Sequence, residues 1–434
     1  MGKPRLASAG AALLTALEEA VPGGVTARVT DRLGMAHDAS HYLLTPQAVV
    51  APGNAAQVAA LLRACAEHGA PLTFRSGGTS LSGQAVTDGL LVDTRRHFRA
   101  IEILDGGEKV RVQPGVTLGQ VNRSLARYAR KLGPDPASES ACTIGGVIAN
   151  NSSGMTCGTQ FNAYRTLESM VLVLPSGTTI DTGAPDADKR LQSLEPDLFT
   201  GLLGLRDRVR GNAGSVRRIE AQYALKNTMG YGINAFLDHS SPAQILAHLV
   251  IGSEGTLAFA AQATFRTVPV HRHAATGLLV FPALRQAMAG LPELLATRPA
   301  AVELLDAAAL RVAQRDPKAA EPIRDLTVDG HAALLIEWQQ ANPDDLRQQV
   351  REAQRTLTTL PVSIPAGLTS EAPARAALWH IRKGSPRCSA AMAMKAASSS
   401  VMPRTATSTS CSSSISLAIR HPIAMRPSPR TWRT

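Results

Sequence analysis

The segment PLTFRSGGTSLSG, residues Pro71–Gly83, decides how the first half of this chain is interpreted. An apolar run that ends at Phe74 predicts a short strand, which leads into a loop of glycine, serine and threonine. Gly77, Gly78 and Gly83 can adopt positive φ, and because they lack a Cβ a ligand can approach their backbone closely. The segment therefore predicts a ligand-binding turn. An ordinary polar connection between two strands is the alternative.

The chemistry of this loop suits a pyrophosphate. Successive N–H groups in such a turn form a nest that binds anions. Further donors are the hydroxyls of Ser76, Thr79, Ser80 and Ser82. Two better-known phosphate loops do not fit, because a Walker loop ends in Gly-Lys-Ser/Thr and a Rossmann fingerprint opens directly into a helix. Here Leu90–Val92 predict a second strand after the loop, so a helix dipole is not the source of phosphate binding.

Length and composition are those of an ordinary globular protein. The 434 residues are enough for two or three domains, and 44% of them are apolar. No run approaches the roughly 20 apolar residues of a membrane helix. Glu18 and Glu19 make the N-terminal segment an amphipathic helix rather than a secretion signal. We therefore expect a cytoplasmic protein without a membrane span. Reduced thiols are expected because no metal or disulfide spacing connects the five cysteines, Cys65, Cys142, Cys157, Cys388 and Cys411.

The net charge of +11 is concentrated at the C-terminus. Residues 385–434 contain no acid, and without their seven cations the chain carries +4. Those cations are Arg387, Lys395, Arg404, Arg420, Arg426, Arg430 and Arg433. No basic stripe is interleaved with aromatic residues, so nucleic acid is not expected as a partner. The Ser, Ala, Thr, Arg and Pro composition of this tail predicts disorder. Its abrupt onset indicates either a natural disordered tail or translation in a shifted reading frame, and the second is favoured.

A second run of small residues, TIGGVIANNSSG (Thr143–Gly154), predicts a helix that leaves room for a flat ligand. A tightly packed helix crossing is the alternative. Before this run, Thr117 and Gln120 fit a capping box at the start of a helix that is predicted to end at Gly133. After it, Leu167–Asp181 predicts a β-hairpin.

Two later segments have the same glycine-rich character. The first is KNTMGYGINAF, Lys226–Phe236, and the second is GSEGT, which follows an apolar helical stretch from Ile245. Beyond Pro269 the sequence alternates between apolar strands and Ala/Leu-rich helices. This change predicts a domain boundary.

Together, RSGGTSLSGQ, PDPAS, TIGGVIANNSSG, KNTMGYGINAF and GSEGTLAF resemble, in order and spacing, the FAD-binding domain of PCMH-type (vanillyl-alcohol oxidase family) flavoproteins. Within that family the chain is most similar to dehydrogenases of D-2-hydroxy acids, of the D-lactate and D-2-hydroxyglutarate kind, and especially to large bacterial members with an iron–sulfur half. The resemblance implies an α+β fold in which a two-subdomain FAD-binding domain is followed by a cap domain, here incomplete. We expect an N-terminal helical segment at residues 1–40, the FAD-binding domain at 41–270, a partial substrate domain at 271–384 and the disordered tail at 385–434.

The resemblance also implies individual contacts. Lys226, Asn227 and Thr228 fall where related dehydrogenases hold the substrate carboxylate, and Arg382 is a second candidate. Thr79 stands where covalent members have a histidine, so the FAD is expected to be non-covalent. The implied FAD contacts are Arg75, Ser76, Gly77, Gly78, Thr79, Ser80, Leu81, Ser82, Gly83, Pro134, Asp135, Thr143, Ile144, Gly145, Gly146, Ala149, Asn150, Ser153, Gly154, Gly252, Glu254, Gly255, Thr256 and Leu257.

The sequence departs from the family pattern after Arg382. The family's His/His/Glu metal site and neighbouring base lie in a segment resembling GHALEGNLHF, which is not found here, and no CxxC offers iron–sulfur ligands. We therefore expect neither a divalent metal nor iron–sulfur clusters, and no catalytic residue is identified. The implied reaction oxidises a small D-2-hydroxy acid to its 2-oxo acid by hydride transfer to flavin N5, with the electron acceptor left open. A truncated, inactive FAD-binding protein is the alternative.

Overall fold

The chain is described by a computed structural model over residues 10–154, 156–228, 230–316, 321–364 and 367–383. These residues divide into two compact units, one up to His271 and one from Arg272. The predicted tail at residues 385–434 lies outside the described residues.

Most strands are short. They are β1 (Val25–Thr26), β2 (Ala48–Val50), β3 (Leu72–Arg75), β4 (Leu90–Asp93), β5 (Ile101–Leu104), β6 (Lys109–Val112), β7 (Arg130–Lys131), β8 (Leu167–Val173), β9 (Thr179–Asp181), β10 (Phe259–Arg266), β11 (Val268–Pro269), β12 (His273–Phe281), β13 (Ala301–Leu305), β14 (Ala332–Gln340) and β15 (Leu368–Thr369).

Helices alternate with these strands, and 3-10 turns occur at Asp105–Gly107 and Ala126–Tyr128. The α-helices are α1 (Gly10–Ala20), α2 (Val29–Gly34), α3 (Ala55–Glu67), α4 (Leu118–Leu125), α5 (Ile144–Ala149), α6 (Ala163–Thr166), α7 (Ala187–Leu194), α8 (Pro196–Arg210), α9 (Ala213–Tyr223), α10 (Ala235–Asp238), α11 (Pro242–Val250), α12 (Leu284–Ala296), α13 (Ala307–Ala313), α14 (Glu321–Arg324), α15 (Pro343–Leu357) and α16 (Ala372–Lys383).

The first unit begins with a four-stranded sheet of order β1-β2-β4-β3. Both β2 and β3 pair with β4 in parallel, and Arg75 lies opposite Asp93. The loop between β3 and β4 therefore connects two parallel neighbours without a crossover helix. Because parallel strands end at the same edge of a sheet, the start of this loop lies beside the residues that follow β4. Thr94, which follows β4, donates its N–H to the Arg75 carbonyl at 3.0 Å.

A second, antiparallel sheet of order β5-β6-β10-β8-β9 completes the first unit together with the β7–β11 ribbon. It meets the first sheet through aromatic rings. Phe74 of β3 stacks on Phe259 of β10 at a centroid distance of 4.7 Å, and Phe98 packs edge-on against Phe259 at 5.3 Å. The strand that leads into the glycine loop is thus anchored on the second sheet directly before Arg75.

Helix α4 confirms the predicted start but not the predicted end. Thr117 accepts a hydrogen bond from the Gln120 N–H, and the Gln120 side chain accepts one from the Thr117 N–H, which is the expected capping box. The prediction that the helix ends at Gly133 is wrong, because α4 ends at Leu125 and a 3-10 turn closes with Ala129 at φ 53°. The next residues form β7, which pairs with β11 from a distant part of the chain.

The second unit is built on an antiparallel sheet of order β13-β14-β12-β15. Side chains along β14 alternate between its faces. Leu334, Ile336 and Trp338 pack in one cluster with α12 and α15, whereas Leu335 packs in another cluster with α13 and Trp379 of α16. Each face of the sheet is therefore covered by its own helices.

Glu337 is a buried carboxylate on the α16 face of this sheet. It accepts hydrogen bonds from Thr276 Oγ1 and Trp379 Nε1, both at 2.5 Å, and from Gln339 Nε2 at 2.6 Å. Arg375 Nη2 lies 3.2 Å from the same carboxylate. Burial alone would raise the pKa of Glu337, but these hydrogen bonds and the Arg375 charge hold the pKa below its ordinary value.

None of the described helices combines the length and the apolar character that crossing a bilayer requires.

Candidate functional site

The two runs of small residues lie against each other in the first unit. Ser76 donates its hydroxyl to the Pro114 carbonyl at 2.9 Å and also pairs with the Thr143 hydroxyl. A Cβ on Gly77 would lie only 2.9 Å from the Ala141 carbonyl oxygen, and one on Gly145 would lie 2.9 Å from Ser76 Oγ. The absence of side chains at these glycines is what allows the two backbones to approach.

Beyond Gly77 the glycine loop presents unused backbone donors. Among the described residues, no protein acceptor receives a hydrogen bond from the N–H groups of residues 77–81. Gly78 and Gly83 adopt φ of 65° and 80°. The side chains of Thr79 and Ser80 are half-buried, whereas Leu81 and Ser82 are exposed. A run of free N–H groups that includes a positive-φ glycine is the geometry expected of an anion nest.

Arg75 lies beneath this loop. Its side chain is buried, and Nη1 donates to the Met35 carbonyl at 3.0 Å, while its buried Nε has no partner among the described residues. A Cβ on Gly78 would lie 3.0 Å from Arg75 Nη2, so the guanidinium packs directly against the loop backbone. Burial, followed by the charge of Arg95, lowers the pKa of Arg75. A buried cation under an anion nest adds attraction for a phosphate.

The second run forms α5 and then a strained turn. Gly252 donates its N–H to the Ile148 carbonyl, and Glu254 donates to the Ala149 carbonyl, both at 2.9 Å. These bonds attach the GSEGT turn to the end of α5. Glu254 has φ of 52° and Asn151 has φ of 46°, and both are non-glycine residues. Positive φ at such residues is uncommon and tends to cluster at ligand sites.

The PDPAS turn lies against the end of the second run. Asp135 donates its N–H to the Ser153 carbonyl at 2.9 Å, and a Cβ on Gly154 would overlap the backbone and carboxylate of Asp135. The Asp135 carboxylate accepts the Thr156 N–H at 3.0 Å. The neighbouring Cys157 thiol is buried, and burial, together with the Asp135 charge, raises its pKa to about 11. Pro134 is buried beside these residues.

Lys226 reaches the same region, where its ammonium donates to the Gly154 carbonyl at 2.6 Å. Thr228 is half-buried. Asn227 and Thr228 follow Lys226 on the segment that runs on to Gly230, whose carbonyl would lie 3.0 Å from a Cβ on Gly252. The structure thus brings the Lys226 segment, the second run and the GSEGT turn together. Arg382 belongs to α16 of the second unit, and its side chain lies outside the described part of the structure.

Some predicted contact residues face water or the core. Asn150 is exposed and donates to Ser152 Oγ at 3.0 Å, whereas Leu257 packs against the hydrophobic core. Ile144 is buried in that core as well. Gly146 is open, because the nearest neighbour of a Cβ at this position would be Thr143 Oγ1 at 4.0 Å. Within the described ranges, no three His, Cys, Asp or Glu side chains are grouped as a metal site would require.

For three residues of this region, the sequence predicted no role in the site. Asn151 Oδ1 and Ser253 Oγ are buried and have no hydrogen-bond partner in the described part of the chain. Tyr231 places its hydroxyl 2.9 Å from Thr256 Oγ1. A buried polar atom without a partner is costly, so Asn151 and Ser253 fit a site that receives a polar ligand. The signal for Asn151 was present, since asparagine tolerates positive φ better than most residues.

Family models match both units. Residues 46–183 match the model described as FAD binding domain, and residues 270–410 match that of the C-terminal domain of FAD linked oxidases. The chain belongs to the FAD linked oxidases. The predicted α+β class, with a PCMH-type FAD-binding domain followed by a second α+β domain, is confirmed.

Several relatives of this chain are named as dehydrogenases or oxidases of hydroxy acids. The D-2-hydroxyglutarate dehydrogenase of Pantoea ananatis is 27% identical over 307 residues, which are 68% of this chain and 29% of that protein. The D-lactate dehydrogenase of Archaeoglobus fulgidus is 28% identical over 311 residues, 69% of this chain and 56% of that protein. Glycolate oxidase subunit GlcD of Bacillus subtilis is 28% identical over 312 residues, 70% and 54% of the two chains. The chain thus spans between under a third and just over half of the length of these relatives.

A solved structure shares the fold at much lower identity. Alkyldihydroxyacetonephosphate synthase superposes with a TM-score of 0.59 at 15% identity, covering 86% of this chain and 64% of that chain. This similarity supports the fold alone.

Proposed function

We propose that this chain binds FAD non-covalently and serves the oxidation of a small D-2-hydroxy acid to its 2-oxo acid. The observation that carries the proposal is the row of free N–H groups at residues 77–81, packed beside the second run of small residues. Membership of the FAD linked oxidases supports FAD as the ligand. The names of the relatives support a 2-hydroxy acid as substrate.

The residues present fit such a cofactor. The loop N–H groups and the buried Arg75 guanidinium would hold the diphosphate through charge-assisted hydrogen bonds. The open surface at Gly146 and the unpartnered polar atoms of Asn151 and Ser253 would receive the ring system. Thr79 offers no imidazole for covalent attachment. When bound, FAD would supply a hydride acceptor at N5.

Lys226 is the chain's candidate for orienting the substrate. Its ammonium is held by the Gly154 carbonyl, and since an ammonium has three donors, two remain for a carboxylate. Fixing the carboxylate at one position would place the α-hydrogen in a defined direction, so that reaction depends on orientation. Asn227 and Thr228 are proposed as further substrate contacts. An FAD-binding protein without turnover is the second candidate, favoured because a segment resembling GHALEGNLHF, with its metal ligands and base, is not found in the sequence.

Reduction of bound flavin tests the proposal. The purified full-length chain is incubated with FAD, freed of excess cofactor, and its visible absorbance is recorded without oxygen before and after adding D-lactate, D-2-hydroxyglutarate or glycolate. We expect a flavin band that acid releases from the protein and that one of these substrates bleaches. A band that none of them bleaches would favour the second candidate, and the absence of any band would refute FAD binding.

A further inference from the structure

Tyr231 lies within KNTMGYGINAF, but neither that motif nor the family comparison assigns it a role. It lies between Lys226 and α10, and the residue is 47% exposed. Its hydroxyl lies 2.9 Å from Thr256 Oγ1. Thr256 donates its only hydroxyl proton to the Ser253 carbonyl at 2.6 Å, so Tyr231 must be the donor of the shared bond.

The bond closes a small loop of contacts around the candidate flavin site. At one end of the segment, the Lys226 ammonium is bound to the Gly154 carbonyl. At the other end, Tyr231 is bound to Thr256 of the GSEGT turn, which is itself attached to α5. Lys226 is therefore attached to the second run, and Tyr231 is attached to the GSEGT turn.

The backbone at Tyr231 is fixed independently of its side chain. Tyr223, the last residue of α9, donates its hydroxyl to the Tyr231 carbonyl at 2.9 Å, and the Ile233 N–H donates to the same oxygen at 2.8 Å. Gly230, with φ of 74°, sets the direction of the chain just before it. The backbone at Tyr231 is thus held by contacts that a change of its hydroxyl leaves intact.

We propose that Tyr231 is a positioning residue of the flavin site, whose hydroxyl, bound to Thr256, acts as a latch between Tyr231 and the GSEGT turn and slows release of the cofactor. This inference rests on the proposed FAD binding and names a residue that acts on it through Thr256. The latch is a neutral hydrogen bond at an exposed position, so its effect is modest.

Dissociation of FAD from variants of the full-length chain tests the latch. Tyr231→Phe removes only the hydroxyl, and we expect it to increase the FAD dissociation rate, followed by the rise in flavin fluorescence, by roughly 2- to 10-fold. Thr256→Val removes the acceptor and should act similarly. The double variant should release FAD no faster than the faster single variant, since both remove the same bond.

Tyr128→Phe is the matched control, because among the described residues its hydroxyl makes no hydrogen bond and its ring packs against Gly107. It should release FAD at the wild-type rate. Wild-type dissociation from Tyr231→Phe, or effects of the two single changes that multiply in the double variant, would overturn the latch while leaving FAD binding intact. A wild-type chain that takes up no FAD would overturn the proposed function and the latch with it.

Discussion

At the scale of single residues, the site depends on glycines that serve different purposes. At Gly77 and Gly145 a side chain cannot be accommodated, because another backbone or side chain lies against the Cα. Gly146, in contrast, borders open space. Glycines of the first kind are required by the fold, and a glycine of the second kind is available to a ligand.

Gly77→Ala should therefore destabilise the FAD-free protein. Its Cβ would lie 2.9 Å from the Ala141 carbonyl oxygen and 3.1 Å from the Thr143 nitrogen, and backbone cannot rotate away as a side chain can. We expect a loss of about 1 to 3 kcal/mol in the free energy of unfolding, measured by urea denaturation. Gly146→Ala is the control, and on the helix it should be neutral or stabilising by up to about 1 kcal/mol. Equal effects of the two changes would contradict this account of the packing.

Several of these residues could be predicted from sequence, and the reason is local. The capping box at Thr117 and Gln120 and the positive-φ glycines at Gly78 and Gly83 depend on near neighbours only. Tyr231 and Ser253 could not be identified, because their roles depend on partners at Thr256 and on burial under a distant segment. A sequence motif therefore indicates where a site lies along the chain, but it does not predict which distant side chains contact each other there.

At the scale of elements, α11 matters because it leads directly into the GSEGT turn. His248 near its end is buried, and its Nδ1 donates to the Gln244 carbonyl at 2.8 Å. The His239 ring lies over it at a centroid distance of 3.8 Å, and Tyr164 packs edge-on at 4.8 Å. Burial, and then the proximity of His239, lowers the pKa of His248 to about 4. Asp238, which accepts hydrogen bonds from Tyr164, Arg165 and Asn234, opposes this lowering only partly.

This histidine should make the first unit sensitive to acid. In the unfolded chain His248 gains a proton near pH 6.5, but in the folded chain only near pH 4, so the unfolded state binds more protons between these values. Stability should therefore fall as the pH decreases through this window, by about 3 kcal/mol at 1.36 kcal/mol per pH unit.

His248→Asn removes the titrating group and should flatten the dependence of the unfolding free energy on pH between 6.5 and 4, measured by urea denaturation at a series of pH values. The control substitution is His68→Asn, at an exposed histidine at the end of α3 that lies outside this buried cluster. An unchanged slope in His248→Asn would show that other groups govern the acid response.

Elements were predictable where one pattern dominates and unpredictable where pairing is remote. Helix α5 follows from the run of small residues at Thr143–Gly154, and the β8–β9 hairpin follows from the turn residues within Leu167–Asp181. The predicted end of α4 at Gly133 is wrong for two reasons. Ala129 has a left-handed backbone conformation, and the next two residues pair with Val268–Pro269, some 137 positions away in the sequence. The parallel pairing of β3 with β4 is likewise a tertiary property, and the sequence of neither strand indicates it.

At the scale of the whole molecule, the described chain has two sets of cores. The clusters of the first unit involve residues up to Phe265, and those of the second involve residues from Ala275 onward. Each unit therefore buries its own apolar surface, which is the requirement for cooperative unfolding of its own.

The buried Glu337 network should stabilise only the second unit. Arg375→Met removes the cation beside a carboxylate that is 3% exposed, and we expect the free energy of unfolding of that unit to fall by about 2 to 4 kcal/mol. FAD affinity at temperatures below this transition should stay at the wild-type value, because the proposed cofactor contacts lie in the first unit. Urea denaturation and flavin titration check the two parts, and a parallel loss of FAD affinity would contradict the separation.

The distribution of tryptophan gives this molecule two optical reporters. Both tryptophans among the described residues, Trp338 and Trp379, belong to the second unit, and residues 1–271 contain none. Emission from Trp338 and Trp379 therefore reports on the second unit, whereas a bound isoalloxazine would report on the first; the third tryptophan, Trp432, lies outside the described residues. A single titration read at two wavelengths could thus assign each transition to its unit without cutting the chain or attaching a dye.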